Sequence, residues 1–396
     1  MNILILNSGS SSIKFQLIQM PLEHSTCGGI VERIGSEKAL LRYRTTTQNL
    51  HLEEVIKTHE RGLRRILDLL LSSEYGVIGH VDEIDAVGHR VVHGGDSFAR
   101  TTWVTDRVKK EIQKFSALAP LHNPPNLAGI QIAEALFPKA RQVAVFDTAF
   151  HQTIPEKAHR YAIPKKFYTD HSIRSYGFHG TSHKYVSEKA MAHLQKKRSK
   201  LLTIHLGNGC SITAVVDGKS VEHSLGFAPS NGLIMGSRSG DLDHALIFHL
   251  VDTLGYSLES VNRLLTKESG MLGLTGYSDL RDIQSRAEEG DRDCQLALDM
   301  NAYRIKKYIG AYTAIMNGLD AIVFTAGIGE NSSVLRKRIC EDMSYLGITL
   351  DDGKNESVSR DFEEIQAEVS RVKLLVIATN EELEIAKQTF ELCSNE

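Results

Sequence analysis

NSGSSSIK, residues 7–14, stands between two apolar runs, ILIL at 3–6 and FQLI at 15–18. One glycine and four serines add nothing to a core. They leave an open backbone and small hydroxyls, and Lys14 adds a positive charge, a set that suits a closely approaching anion. The flanking runs read as the strands of a hairpin. The pattern returns at 201–217, where LLTIHL, GNGCS and ITAVVD again give strand, small polar loop and strand. Each hairpin leads later to a short apolar run with a polar end, VAVFDTAF at 143–150 and AIVFTAGIGEN at 321–331, which we take as counterparts. Such strands carry sites at their carboxyl ends. The expectation is two similar α/β halves facing each other, each supplying a hairpin and a strand end to one cleft.

Composition narrows the class. A chain of 396 residues predicts two or three domains, and 41% hydrophobic with 24% charged residues is an ordinary soluble balance. A net charge of −3 gives no long-range basic field for nucleic acid or anionic lipid. The densest basic run, KKRSK at 196–200, reads as a solvated helix end. Cys27, Cys210, Cys294, Cys340 and Cys393 are scattered without CxxC spacing, so neither a zinc site nor a disulfide framework is indicated. The N-terminus has no basic region before its short apolar run, and no segment reaches the roughly 18 apolar residues of a membrane span. A soluble cytoplasmic protein is expected.

Helical spacing lies between the strands. Val108, Ile112, Phe115 and Ala119 follow Thr105, a suitable N-cap. Pro124 and Pro125 open a helix through NLAGIQIAEALF. Residues 292–316 form one long pattern that stops at Asn317-Gly318. In the tail, Thr379 and Glu382 predict a capping box, which would leave Glu381 free to bind Mg²⁺, though a first-turn glutamate is the plainer reading. Strands alternating with helices make the class α/β.

The familiar nucleotide signatures are missing. The residues around Lys14 do not satisfy GxxxxGK[ST], and GNGCSI and GIGENS lack the third glycine of GxGxxG. A phosphate-binding hairpin remains, with a simple β-turn as the alternative; three glycine-rich strand ends, at 7, 207 and 327, favour the nucleotide. In HRVVHGG (89–95), His89 and His93 on one strand face could form a metal pair, but no third ligand is identifiable. Arg90, on the opposite face, suits a carboxylate or phosphate. LHNPPN (121–126) and YGFHGTSH (176–183) fit loops of either structural or functional purpose, with His183 starting a helix. Arg238, among small residues in GSRSGDLD (236–243), is able to reach a ligand or to sit in solvent. Asp147 ends a strand, where a carboxylate needs solvent, a cation or a donor.

In series, NSGSSSIK, GHRVVHGG, LHNPPN, FDTAFH, YGFHGTSH, HLGNGCS, MGSRSGDLD, LLTKESG, TAGIGEN and TNEEL resemble the acetate kinase family of the actin-like ATPase superfamily, from residue 7 to 383. The resemblance implies two duplicated actin/ribonuclease H-like domains of ββαββα type with the active site in the cleft between them. Residues 1–149 would form the first domain, with a C-terminal helix at 381–396 packing back on it. Residues 150–380 would form the nucleotide-binding domain, and the protein would be a homodimer. By the same resemblance, Asp147, His179 and Arg238 are catalytic, and Asn7 and Glu381 hold Mg²⁺, with Mn²⁺ as an alternative. Ser10, Ser12 and Lys14 would lie near the transferring phosphoryl group. ATP would be bound by His205, Leu206, Gly207, Asn208 and Gly209, by Asp279, Leu280 and Arg281, and by Gly327, Ile328, Gly329, Glu330 and Asn331. Arg90 would hold the substrate carboxylate, and Val92, Leu121, Phe178 and Pro229 would line the pocket for its methyl group.

The implied reaction is reversible phosphoryl transfer from ATP to acetate. Acetate is already ionised at neutral pH, so Asp147 is expected to orient Arg90, His179 or a metal-bound water rather than to transfer a proton. A propionate kinase is the alternative, which Val92 opposes because a smaller residue would better admit the extra methylene. A non-catalytic ATP-binding switch would leave Arg90, Phe178, His179 and Arg238 without purpose. Two departures from the family pattern stand out, FAPSNGL around Pro229 and His244 where proline is usual.

Overall fold

In the computed structural model, which describes residues 1–359 and 361–395, strands β1 (Asn2–Ser8) and β2 (Ser12–Gln19) form the opening hairpin. They pair from Asn2 opposite Gln19 to Ser8 opposite Ile13, and the Gly9 N–H donates to Ser12 O at 2.8 Å. Strands β3 (His24–Glu32), β4 (Ala39–Thr45) and β5 (Asn49–Glu54) extend the meander outward. On the other side β6 (Ala86–Val91) runs parallel to β1, β7 (Thr102–Trp103) takes the edge, and β8 (Arg141–Phe146) lies between them, parallel to β6. A second sheet contains β9 (Lys200–Leu206), β10 (Cys210–Val216), β11 (Lys219–His223), β12 (Ala321–Thr325), β13 (Phe362–Glu364) and β14 (Lys373–Ile377).

Six of the eight strands in the first sheet, all but β4 and β5, repeat the second sheet strand for strand. β3-β2-β1-β6-β8-β7 and β11-β10-β9-β12-β14-β13 share the same succession: two antiparallel pairings, two parallel pairings, then an antiparallel edge. This corrects two expectations. The counterpart of AIVF in β12 is β6, not VAVF in β8, whose counterpart is β14. Each half also opens with three strands rather than two, so the ββαββα description is too short. The edge strands β7 and β13 carry little hydrophobic signal, which is why they escape a reading based on apolar runs.

The chain divides into two compact units, residues 1–150 together with the chain from 380 on, and residues 151–379. In the first, the helices His59–Leu70 and Asn123–Leu136 cover one face of the sheet, and Leu4, Leu6, Ile13 and Phe15 pack there with Leu63, Ile66 and Ala133. The tail helix Glu381–Ser394 covers the other face over β1, β6 and β8. Burial on both faces explains why ILIL is apolar without alternation. In the second unit, the helix Gly180–Leu194 packs on β9, β12 and β14, and the long helix Arg292–Met316 packs on β9 and β10. No helix among the described residues is long and apolar enough to cross a membrane.

The tail helix is not capped as expected. Asn380 is the N-cap and accepts from the Leu383 N–H at 2.9 Å, while the Thr379 hydroxyl lies 2.9 Å from Ser182 Oγ. Glu382 pairs with Lys14 at 2.6 Å instead of folding back. Glu396, the last residue of the expected 381–396 segment, lies outside the described residues.

The close seat of this helix depends on Gly88. A Cβ there would lie 2.7 Å from Thr389 Oγ1 and 2.9 Å from Ile385 Cγ2. Gly88→Ala should therefore destabilise the protein by about 1–3 kcal/mol through overpacking. Chemical denaturation checks this, and an unchanged midpoint would mean that the helix is not seated here.

Candidate active site

Three neighbouring parallel strands end together in the first unit. Asn7 lies near the end of β1, Arg90 near the end of β6, and Asp147 follows β8. Arg90 Nε donates to Asp147 Oδ1 at 3.0 Å and Nη2 to Oδ2 at 2.6 Å, a two-pronged pair in which Asp147 is almost fully buried. Arg90 Nη1 reaches Asn7 Oδ1 at 3.5 Å, and Nε lies 3.8 Å from Glu381 Oε2. Burial disfavours the Arg90 charge, but Asp147, Glu381 and Glu382 outweigh it and hold its pKa above the ordinary value. Burial likewise raises the pKa of Glu381, with the Arg90 charge opposing and Asp147 and Glu382 adding to the rise. Glu381, expected to be free, is thus partly buried against Arg90. Lys14, half-exposed, stands opposite Asn7 in the hairpin register, where Ser10 is exposed and Ser12 half-buried.

The segment after β6 is held by residues that the sequence reading passed over. Asn126 accepts from the Val92 N–H at 3.0 Å and donates to Ser8 O at 2.7 Å, tying the ends of β1 and β6 together. Asn123 accepts from the His93 N–H at 3.0 Å and donates to His93 O at 2.9 Å. Two asparagines flanking Pro-Pro at a helix start were the available signal. β6 ends at Val91, so Val92 and His93 lie beyond the strand and the argument from one strand face does not apply to them. His89 Nε2 lies 2.8 Å from Gln142 Oε1, and His93 Nδ1 accepts from the Gly95 N–H at 3.0 Å. Burial lowers both histidines to about 4, and the described residues hold no group of three side chains suited to a metal. Val92 is buried and Leu121 is 60% exposed.

In the second unit, His179 and Arg238 meet at Gly209. A Cβ on Gly209 would lie 3.4 Å from His179 Nε2 and 3.7 Å from Arg238 Nη1. Glycine therefore leaves a gap between an imidazole and a guanidinium. His179 is left-handed at φ 56°, unusual for a residue with a side chain. It is the N-cap of helix Gly180–Leu194, and the backbone of the residue before it is gripped at both its N–H and its C=O. His151 Nε2 donates to Phe178 O at 2.9 Å, and the Phe178 N–H donates to His223 Nε2 at 3.1 Å. Burial lowers His151 to about 4, and burial with the neighbouring histidines lowers His223 well below the usual range. His183, expected to start the helix, is buried inside it. Arg238 Nη1 donates to Pro229 O at 2.6 Å, and burial lowers its pKa. His244 has φ −62° and lies 89% exposed by its side chain before helix Ala245–Asp252, a place that proline would also fit.

A cavity of about 870 Å³ opens in the same unit. Gly207 and Asn208 line it from the β9–β10 turn, Asp279, Leu280 and Arg281 from a helix start, and Gly327, Ile328 and Asn331 from the short helix after β12. GIGEN, read as the polar end of a strand, is thus helical. Arg281 pairs with Asp279 through Nε and Nη2 and holds its carboxyl at about 2. The other expected ATP residues of this unit, His205, Leu206, Gly209, Gly329 and Glu330, do not line it. His205 stacks on His179 at 4.4 Å between ring centres, Leu206 is buried in the sheet, and Glu330 accepts from the Thr379 N–H at 3.0 Å. Gly329 O accepts from the buried Arg336 at 2.9 Å. Met235, Met271 and Asn301 also line the cavity and were not foreseen. Asn301 interrupts the apolar stripe of helix Arg292–Met316, which was its signal.

Comparison with known proteins agrees over the whole chain. The chain is 58% identical over 395 residues to the acetate kinase of Flavobacterium johnsoniae, covering 100% of each. The crystal structure of Porphyromonas gingivalis acetate kinase superposes with a TM-score of 0.94 at 42% identity, covering 99% of each chain. A propionate kinase from Francisella tularensis gives 0.93 at 41% identity, covering 98% of this chain and 99% of that one. The profile of the acetokinase family matches residues 2–387, and this chain belongs to that family.

Proposed function

We propose that Arg90 holds the carboxylate of acetate while His179 and Arg238 meet the phosphoryl group of ATP. The chain is an acetate kinase, a phosphotransferase whose acceptor is a carboxylate: ATP and acetate give ADP and acetyl phosphate, reversibly. The observation that carries the assignment of residues is the state of Arg90. Asp147 takes its Nε–Nη2 edge, and the Nη1–Nη2 edge, where Nη1 makes a long contact of 3.5 Å to Asn7, has the planar fork that a substrate carboxylate requires.

The chemistry asks little proton transfer of the protein. Acetate has a pKa near that of Glu, about 4.3, so a carboxylate oxygen attacks the γ-phosphorus without a base. The bond from that phosphorus to the oxygen retained by ADP breaks, and charge spreads over the equatorial oxygens. Arg238 and His179 are groups that stabilise such charge by fixed position. Asp147 fits an orienting role, since both its oxygens bind Arg90. A divalent metal accompanies ATP in this family, and we assign Mg²⁺, with Mn²⁺ as the alternative. Asn7 and Glu381 fit it: both offer hard oxygens beside Arg90, and Mg²⁺ takes one or two carboxylates and completes its shell with water and phosphate. When bound, the ion would offset charge on the phosphates. ATP as co-substrate and five cysteines that form no disulfide among the described residues support a cytoplasmic site of action. The homodimer is supported by Phe248, Leu254, Tyr256 and Leu258, all exposed within one short stretch of the second unit. Sedimentation equilibrium finding only a 44.0 kDa species would overturn it.

The two arginines should separate kinetically. Arg90→Ala should raise the KM for acetate by about 10- to 100-fold, with Arg90→Lys recovering only part. Arg238→Ala should instead lower kcat by about 10²–10³ with little change in the KM for ATP. Steady-state kinetics in both substrates checks this; an ATP effect at Arg90 with unchanged acetate KM would reverse the assignment.

The Francisella tularensis propionate kinase is nearly as similar as the Porphyromonas gingivalis enzyme, so chain-length preference rests on the pocket. Val92→Ala should improve the kcat/KM for propionate relative to acetate about fourfold, the value of one buried methylene at about 0.8 kcal/mol. Hydroxamate detection of the acyl phosphates from acetate, propionate and butyrate measures it. A fixed ratio would move the pocket away from Val92, toward the FAPSNGL stretch.

A further inference from the structure

Behind His179 a line of hydrogen bonds runs into the second sheet. Ser211 Oγ lies 2.9 Å from His179 Nδ1 and 2.7 Å from His183 Nε2, and His183 Nδ1 lies 2.7 Å from Thr203 Oγ1. Thr203 on β9 and Ser211 on β10 lie beneath helix Gly180–Leu194, which carries His183. Thr203, His183 and Ser211 are all fully buried.

The direction of these bonds follows from counting protons. The Thr203 hydroxyl has one polar side-chain partner among the described residues, His183 Nδ1. A buried hydroxyl proton needs an acceptor, so Thr203 donates to that nitrogen. Burial and the neighbouring His151 and His205 hold His183 well below its usual pKa, so its ring is neutral and carries one proton. That proton is then on Nε2 and goes to Ser211. Ser211, having accepted, donates its own proton to His179 Nδ1. The opposite direction would leave the Thr203 proton without an acceptor and would put a neutral His179's proton on Nδ1.

We propose that Thr203, His183 and Ser211 are positioning residues that fix the ring proton of His179 on Nε2, the nitrogen beside Gly209, where it is offered to a phosphoryl oxygen. The inference rests on the reading of His179 as a phosphoryl contact. A neutral His179 with its proton on Nδ1 would instead present a lone pair to an anionic oxygen, which repels it. The same logic, in which one ring nitrogen's bond fixes the other's role, operates wherever histidine works as a directed donor.

Ser211→Ala should lower kcat by about 10- to 100-fold, the usual cost of losing a partner that orients a functional histidine. KM for ATP and acetate should stay within about twofold, and Ser211→Thr, which keeps the hydroxyl, should restore most of kcat. Thr203→Val, of similar shape, should also lose activity, while Thr203→Ser should keep it. In a His179→Ala background, Ser211→Ala should change kcat by less than about twofold. An equal loss in both backgrounds would overturn the relay. If His179→Ala itself keeps full kcat, the reading of His179 fails instead. Neutron diffraction from the deuterated wild-type protein then decides the relay separately: deuterium on His179 Nε2 with a bare Nδ1 supports it, and deuterium on Nδ1 with a bare Nε2 overturns it.

Discussion

Parallel pairing of β1, β6 and β8 is the constraint on which the rest of the first unit depends. Strands in register about 4.8 Å apart bring their carboxyl ends to one place. Asn7, Arg90 and Asp147, separated by as many as 140 residues of chain, become neighbours because of it. The arrangement is costly unless compensated, since a guanidinium and several carboxylates lie where solvent is scarce. The compensation is geometric: Asp147 takes two of the Arg90 donors and Glu381 stands nearby.

The duplicated topology ends in two different sets of residues. Where the first unit ends its central strands in Asn7, Arg90 and Asp147, the second ends them in Gly207, Ala326 and Ala378, small residues without polar side chains. Side-chain charge suits gripping a small carboxylate. Backbone and a wide cavity suit a large polar molecule with many acceptors. The same sheet order thus carries two chemically different sets of strand ends without a change of architecture.

Polar burial in the second unit follows one rule. His151, His183 and His223 are kept neutral by burial, and each is given hydroxyl or peptide partners. A neutral imidazole donates at one nitrogen and accepts at the other, so a chain of them has a direction. His151 and His223 spend that direction on the Phe178 peptide and hold His179 in its left-handed conformation.

Much of this was legible in the residues alone. The apolar runs and their punctuation located the hairpins, the long helix 292–316 and the strand ends, because burial on both faces and turn chemistry leave local marks. The residue types suited to phosphate and carboxylate were visible too, at Lys14, Arg90, Asp147 and Arg238. Pairing was not legible. VAVF and AIVF look alike as strings, and only hydrogen-bond register shows that β12 answers β6 while β14 answers β8. Nor could spacing reveal that Asn380 would cap the tail helix while Glu382 turned to Lys14, because Lys14 is remote in sequence. Ser211 and Thr203 carry no distinctive signal, since a buried hydroxyl is defined by its partners. Those partners come from other strands and helices, and tertiary structure alone brings them together.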